Sequence, residues 1–127
     1  MRKTSLEDLF AALADRTRLR LLHLLSLGEI CVCYFVAILD ETQPKISRHL
    51  AYLRRTGLAQ ARRDGKWMHY SLAEPPNPRV ARLLDALLAE LREDPAYRRD
   101  AELLARACCA TRLPPELRDA PRPSIGT

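Results

Sequence analysis

Thr42-Gln43-Pro44-Lys45-Ile46-Ser47-Arg48-His49-Leu50-Ala51-Tyr52-Leu53-Arg54-Arg55-Thr56-Gly57 is the stretch that decides how this chain folds. Thr42 is an N-cap residue, and Gln43-Pro44 falls in the first turn, where proline's fixed φ suits the helix and its missing N–H is not needed. Gly57 ends the helix. Ile46, Leu50 and Leu53 share one face at helical spacing, which leaves Lys45, Ser47, Arg48, His49, Tyr52 and Arg55 around the remaining surface. A short helix is predicted before it, from about Glu29 to Leu39, with Asp40-Glu41-Thr42 as the turn between them. Two short helices joined by a tight turn, the second carrying a basic, hydrogen-bonding face, describe a helix-turn-helix.

Beyond Gly57 the period changes. Leu58 to Arg63 and Lys66 to Leu72 flank Asp64-Gly65, a hairpin turn signal, and the second arm holds the strand-favouring Trp67 and Tyr70. The hairpin tip is basic on both sides, with Arg62, Arg63 and Lys66, and is suited to lie as a wing on phosphates. From Gln43 to Tyr70 seven Lys and Arg face a single acid, Asp64, although the whole chain of 127 residues carries only +5. All the excess positive charge therefore sits in one segment, the pattern of a face offered to a polyanion.

Outward from this centre, Ser5 caps a helix to Ala14 with Leu6, Leu9, Phe10 and Leu13 on one stripe. Asp15 caps a second helix through Leu27, and Gly28 stops it. Pro75-Pro76-Asn77-Pro78 leads into a helix from about Arg79 to Glu93 whose stripe is Val80, Leu83, Leu84, Leu87, Leu88 and Leu91. In so small a protein that stripe either closes the core or pairs with a symmetry mate, or does both. Pro95 breaks it, and a last helix is expected from about Ala96 to Arg112. The predicted fold class is thus mostly α (α+β): a winged helix-turn-helix domain over 1–112 with a β-hairpin wing and N- and C-terminal dimerisation helices. A disordered, proline-rich tail is expected over 113–127.

No run approaches the roughly 18 apolar residues of a spanning helix, and the start of the chain lacks a secretory apolar segment, so a cytoplasmic protein with no membrane partner is expected. In that compartment four cysteines point to thiol chemistry or metal ligation rather than disulfides. An enzyme is disfavoured. No cysteine precedes a phosphate-cradling loop ending in Arg, the chain has only 4 glycines, and His23, His49 and His69 are not spaced as a metal or base cluster.

Several stretches together resemble the ArsR/SmtB family of winged-helix metalloregulatory repressors, and within it the arsenic-responsive ones. They are Leu13-Ala14-Asp15-Arg16-Thr17-Arg18-Leu19, Gly28-Glu29-Ile30-Cys31-Val32-Cys33, Gln43-Pro44-Lys45-Ile46-Ser47-Arg48-His49-Leu50, Leu53-Arg54, Gly57-Leu58 and Gly65-Lys66-Trp67-Met68-His69-Tyr70. The likeness runs from about Leu6 to Leu72; the last third matches only in helical pattern. It implies a homodimer that binds double-stranded operator DNA and releases it when a thiophilic inducer, trivalent arsenic above all, is bound. The residues expected on DNA are Gln43, Lys45, Ser47, Arg48, His49 and Arg55, with Arg62 and Lys66 on phosphate. Arg can bridge guanine O6 and N7, and Gln adenine N6 and N7.

Cys31 and Cys33 are the implied sensor, since soft thiolates select thiophilic ligands. Placed in the first turn of a helix, both would gain thiolate character from the dipole, yet positions i and i+2 would lie about 200° apart, so gripping one atom would distort the turn. The family's third cysteine is replaced by Val36, and Tyr34-Phe35 stand where an acid and a leucine are more usual. Cys108 and Cys109 are then the remaining candidates to complete a three-sulfur site, in the same protomer or its partner. Cys108 equally continues the stripe Tyr97, Ala101, Leu104 as a buried cysteine. Other readings stay open: a two-thiol site for an organic arsenical, a cadmium or zinc site, thiol oxidation, or a DNA-binding protein with no sensor.

Overall fold

The structure, a computed structural model, describes residues 4–109 and 113–125. Helices α1 (Leu6–Leu13) and α2 (Arg16–Leu25) are followed by strand β1 (Gly28–Cys31) and helices α3 (Val32–Leu39) and α4 (Gln43–Arg55). The hairpin β2 (Ala59–Asp64) and β3 (Trp67–Leu72) leads to α5 (Pro78–Glu93) and α6 (Pro95–Cys109), and the chain ends in a 3-10 turn, Pro115–Leu117, and strand β4 (Ser124–Ile125).

Local chemistry explains most boundaries. Ser5 and Asp8 form a reciprocal capping box on α1, Asp15 accepts from the Arg18 N–H, and Thr42 accepts from the Lys45 N–H. Asn77 caps α5 ahead of Pro78. Between α3 and α4 the chain turns at Asp40, which adopts φ 54, a left-handed conformation that Asp tolerates better than most residues. A two-residue loop, Gly65-Lys66 with Gly65 at φ 60, closes the hairpin between Asp64 and Trp67.

Leu9, Leu21, Leu22, Leu24, Phe35, Ile46, Leu50 and Leu53 are wholly buried and tie α1, α2, α3 and α4 into one core. Arg20 on α2 adds a fork-to-fork ion pair with the buried Asp100 of α6, at 2.8 and 2.9 Å. The leucine stripe of α5 divides. Val80, Leu84, Leu88 and Leu91 enter the core, while Leu83, like Phe10 on α1, faces solvent. Within the described residues no helix is long and apolar enough to cross a membrane.

Two expectations are corrected. The helix predicted from about Glu29 to Leu39 is shorter, because residues 28–31 are strand. Ile30 pairs with Tyr70 and Cys31 with His69, so β1 takes up the backbone groups on the free side of β3. Tertiary pairing overrides the local pattern here. The tail is not disordered across 113–125. Leu117 and Ala120 are buried, and β4 pairs with β1 through Gly28 to Ile125 and Glu29 to Ser124, giving the sheet order β2-β3-β1-β4. Prolines exclude helix there, yet a few apolar side chains and an edge strand of two residues suffice to hold the strap in place.

Candidate nucleic-acid face and thiol centre

The α4 face is built from residues whose spacing leaves them no place inside. Gln43, Arg48 and Arg55 are exposed, and Lys45, Ser47 and His49 are half-buried along the same helix. A shallow groove runs beside them, lined by Arg18, Lys45, Arg48, His49, Tyr52 and Arg55. The face was legible from its own sequence, except for Arg18, which α2 contributes. Its guanidinium donates to the carbonyls of Ala12 and Ala11 at 2.8 and 3.1 Å, lies 4.3 Å from the Tyr52 ring centre, and comes within 3.4 Å of His49 Nδ1. Burial, and behind it the cations Arg18, Lys45 and Arg48, holds the His49 imidazole below its ordinary pKa, against the pull of Asp15. His49 is thereby braced against α2 through Arg18.

Other expected contacts are already engaged. Lys45 Nζ pairs with Glu41 at 2.9 Å. On the hairpin, Arg62 grips the Glu29 carboxylate of β1 with Nε at 3.2 Å from both oxygens and Nη2 at 2.7 Å. That guanidinium holds the Glu29 carboxyl below its ordinary value. Lys66, at the tip, is exposed and sits 4.9 Å from the Trp67 ring centre.

The thiol centre has a different geometry from the one the helical pattern predicts. Cys31 is the last residue of β1 and the N-cap of α3, extended at φ −70 and ψ 141, with only Cys33 inside the first turn of the helix. Helical spacing therefore does not separate them. The strand-to-helix junction brings the two thiols into each other's reach, and the distortion expected of a ligand bridging one helical turn is not required. The expected dipole effect fails for Cys31 too. Burial first, and the neighbouring Cys33 thiol after it, push the Cys31 thiol above its ordinary pKa.

Cys108, half-buried near the end of α6, comes to the same region. The Tyr34 hydroxyl lies within electrostatic reach of the Cys108, Cys31 and Cys33 thiols and of the Arg122 guanidinium. Arg122, from the strap, also donates through Nη1 to the Cys108 carbonyl at 2.8 Å. Cys109 is the last residue of α6, and its side chain lies outside the described residues. Among the described residues no group of three or more His, Cys, Asp or Glu is placed to hold a metal ion. Arg122 was not singled out from the sequence, and Tyr34 was noted only as a departure from the family pattern, because their place depends on α6 and the strap folding back over α3.

Residues 15–61 match the family model described as "Bacterial regulatory protein, arsR family". The chain is similar to the arsenical resistance operon repressor of Escherichia coli, 53% identical over 61% of this chain and 68% of that one. It is 52% identical to an arsenic resistance transcriptional regulator of Pseudomonas putida over 51% of this chain, a match that spans only 57% of the relative. A "Probable mercury resistance operon repressor" of Streptomyces lividans is 41% identical over 107 residues, 84% of this chain and 76% of that one. Among solved structures it resembles the AntR antimony-specific transcriptional repressor, with TM-score 0.53 and 34% identity over 67% of this chain and 75% of that one. It also resembles a homodimeric winged helix-turn-helix DNA-binding domain from Mycobacterium bovis, with TM-score 0.57 and 30% identity over 70% and 80% of the two chains.

Proposed function

The chain belongs to the ArsR family of bacterial transcriptional repressors, winged-helix DNA-binding proteins rather than enzymes, and we propose that it is a homodimeric repressor released from its operator when trivalent arsenic binds Cys31, Cys33 and Cys108. The observation that supports this reading is the placing of Cys31 and Cys33 together at the β1–α3 junction, with α6, the helix that bears Cys108, packed against α3. A trivalent, thiophilic centre takes three sulfurs, and here the β1–α3 junction offers two and α6 one.

In the DNA-bound state α4 lies in the major groove with Gln43, Ser47 and Arg48 at base edges or phosphates, while Lys45, Arg55 and Lys66 neutralise the backbone. The partner protomer docks through the exposed Phe10 and Leu83, the unpartnered part of the α1 and α5 apolar faces. The two recognition helices then meet an inverted repeat about 34 Å apart. Binding of each thiol replaces one hydroxyl of arsenous acid, which leaves as water, so three thiols give a neutral tris-thiolate and three waters without oxidation or reduction. Drawing Cys31 and Cys33 toward α6 moves the start of α3, which packs against α4. A ligand with higher affinity for that shifted arrangement weakens DNA binding by the same free energy.

A mercuric inducer is a second reading, favoured by one observation. The similarity to the mercury-resistance relative covers 107 of 127 residues, so it extends into α6, where the other two relatives' shorter matches give no such assurance. Fluorescence anisotropy on the protein's own promoter DNA separates the two. Arsenite should release the wild type, while Cys31→Ser/Cys33→Ser and Cys108→Ser/Cys109→Ser should both resist. Release by Hg²⁺ alone overturns the arsenic assignment, and a wild type that no thiophilic ligand releases overturns the sensor.

A further inference from the structure

Arg18 reaches from α2 into the groove beside α4 and divides its three nitrogens among three partners. Nε donates to the Ala12 carbonyl at 2.8 Å and Nη2 to that of Ala11 at 3.1 Å, both in the last turn of α1, and Nη1 lies 3.4 Å from Nδ1 of His49. The Tyr52 ring lies against the guanidinium, its centre 4.3 Å away, and Asp15 accepts from the residue's own N–H at 3.0 Å. A planar guanidinium held at two corners has its third set by geometry, which a lysine ammonium on a flexible stem could not reproduce. His49 Nε2, by contrast, makes no hydrogen bond among the described residues, and it is not buried as the nitrogens of His23 and Nε2 of His69 are. It opens on the groove expected to meet DNA.

Resting on the DNA-binding reading above, we infer that Arg18 is a positioning residue of the DNA face, fixing His49 with its ring proton on Nε2 so that His49 meets DNA as a hydrogen-bond donor. Arginine has five N–H donors and no acceptor, so the imidazole nitrogen that faces it must offer a lone pair. In a neutral ring the other nitrogen then carries the proton. A protonated ring would set a second N–H against the guanidinium, with Lys45 and Arg48 of α4 acting in the same sense and Asp15, the N-cap of α2, against it. The consequence is directional. In the major groove purine N7, guanine O6 and thymine O4 accept, whereas cytosine N4 donates and would leave the Nε2 proton unpaired. A donor fixed at position 49 therefore discriminates against cytosine at the base it meets, while on the backbone it would hold a phosphate oxygen without reading sequence. Both acceptors share one chemistry, and replacing single atoms of the DNA tells them apart.

Two measurements on the full-length protein test this. Nitrogen-15 NMR of histidine-labelled protein should show His49 with Nδ1 unprotonated and Nε2 protonated at neutral pH, and Arg18→Lys should populate the form protonated on Nδ1. Anisotropy then scans the protein's own promoter DNA, with each purine replaced singly by its 7-deaza analogue and each phosphate by a methylphosphonate. One replacement should cost the wild type about 5-fold in affinity and cost Arg18→Lys and His49→Ala less than about two-fold. His49→Gln, whose amide places an N–H near the position of Nε2, should recover part of the sensitivity. A role in folding alone would lower the melting temperature without erasing the response to one DNA atom. His49→Ala keeps the Arg18 bonds to α1, so it decides the matter if Arg18→Lys does not fold. A sensitive 7-deaza site assigns the contact to a base and a sensitive methylphosphonate to the backbone, and either supports the donor. A proton on Nδ1, or no DNA atom whose loss the wild type feels and His49→Ala does not, overturns the inference and leaves the repressor reading standing. A wild type that does not prefer its promoter to unrelated DNA removes that reading itself.

Discussion

The α4 face and the thiol centre are assembled on opposite plans. On α4, every expected DNA-facing residue from Gln43 to Arg55 lies within one helix of 13 residues, and its side chains are exposed or half-exposed. The candidate thiol centre would draw on Cys31 and Cys33 at the β1–α3 junction and Cys108 on α6, whose carbonyl the strap's Arg122 holds, and Cys31 is buried. A surface that meets a polyanion can be written locally, because long cations need only be kept out of the core. A soft-ion site needs sulfurs held out of water and brought together from distant positions, so it inherits its geometry from the whole fold.

If the two regions are separable in this way, changes at one should leave the other's basal property intact. The largest effect is expected for Cys31→Ser/Cys33→Ser, which should raise the arsenite concentration for half-release by at least about 100-fold. Operator affinity without ligand should stay within about two-fold, as anisotropy would report. Next comes the strap. Leu117→Ala empties a buried position and should lower unfolding free energy by about 2–3 kcal/mol in denaturant melts, weakening arsenite binding while sparing the α4 face. Arg48→Ala should do the reverse, costing about 1–3 kcal/mol of operator affinity and leaving arsenite binding alone.

Acid sharpens the comparison further. Burial is the first cause that depresses both His23 and His49 below their ordinary value of 6.5 in the folded state. The unfolded chain then binds protons first. Their contribution to stability is complete above pH 6.5 and is lost as pH falls through the depressed folded values. Melting temperature should drop between pH 7.5 and 5.5, and His23→Leu should flatten the drop. The smallest effect is expected at the wing: Glu29→Gln releases Arg62 from an exposed ion pair, and operator affinity should shift by less than about five-fold.

The same contrast governs what could be foreseen. The helix-turn-helix, the hairpin and the caps at Ser5, Asp15 and Thr42 follow from neighbours in sequence, and the structure has all of them. Strand β1 was hidden, because Glu29-Ile30-Cys31 is short and merges into an apolar helical pattern; only pairing with β3 makes it extended. That one change moved Cys31 off the helix and removed the expected conflict with Cys33. The strap was hidden by its prolines, which report what a segment cannot form rather than what it packs against. Arg122 and the surroundings of Tyr34 were lost with it. Arg62 shows the remaining limit: a basic wing tip suggests phosphate, yet the nearest carboxylate, on another strand, takes the guanidinium first.

The central claim is that one ligand is held by sulfurs from both the β1–α3 junction and α6. X-ray absorption at the arsenic edge, on full-length protein loaded with one equivalent of arsenite, counts those sulfurs directly. Three arsenic–sulfur bonds in the wild type, falling to two or fewer in Cys108→Ser/Cys109→Ser, is the expected result. Two sulfurs or none in the wild type, or a coordination that the C-terminal double variant leaves unchanged, would contradict it.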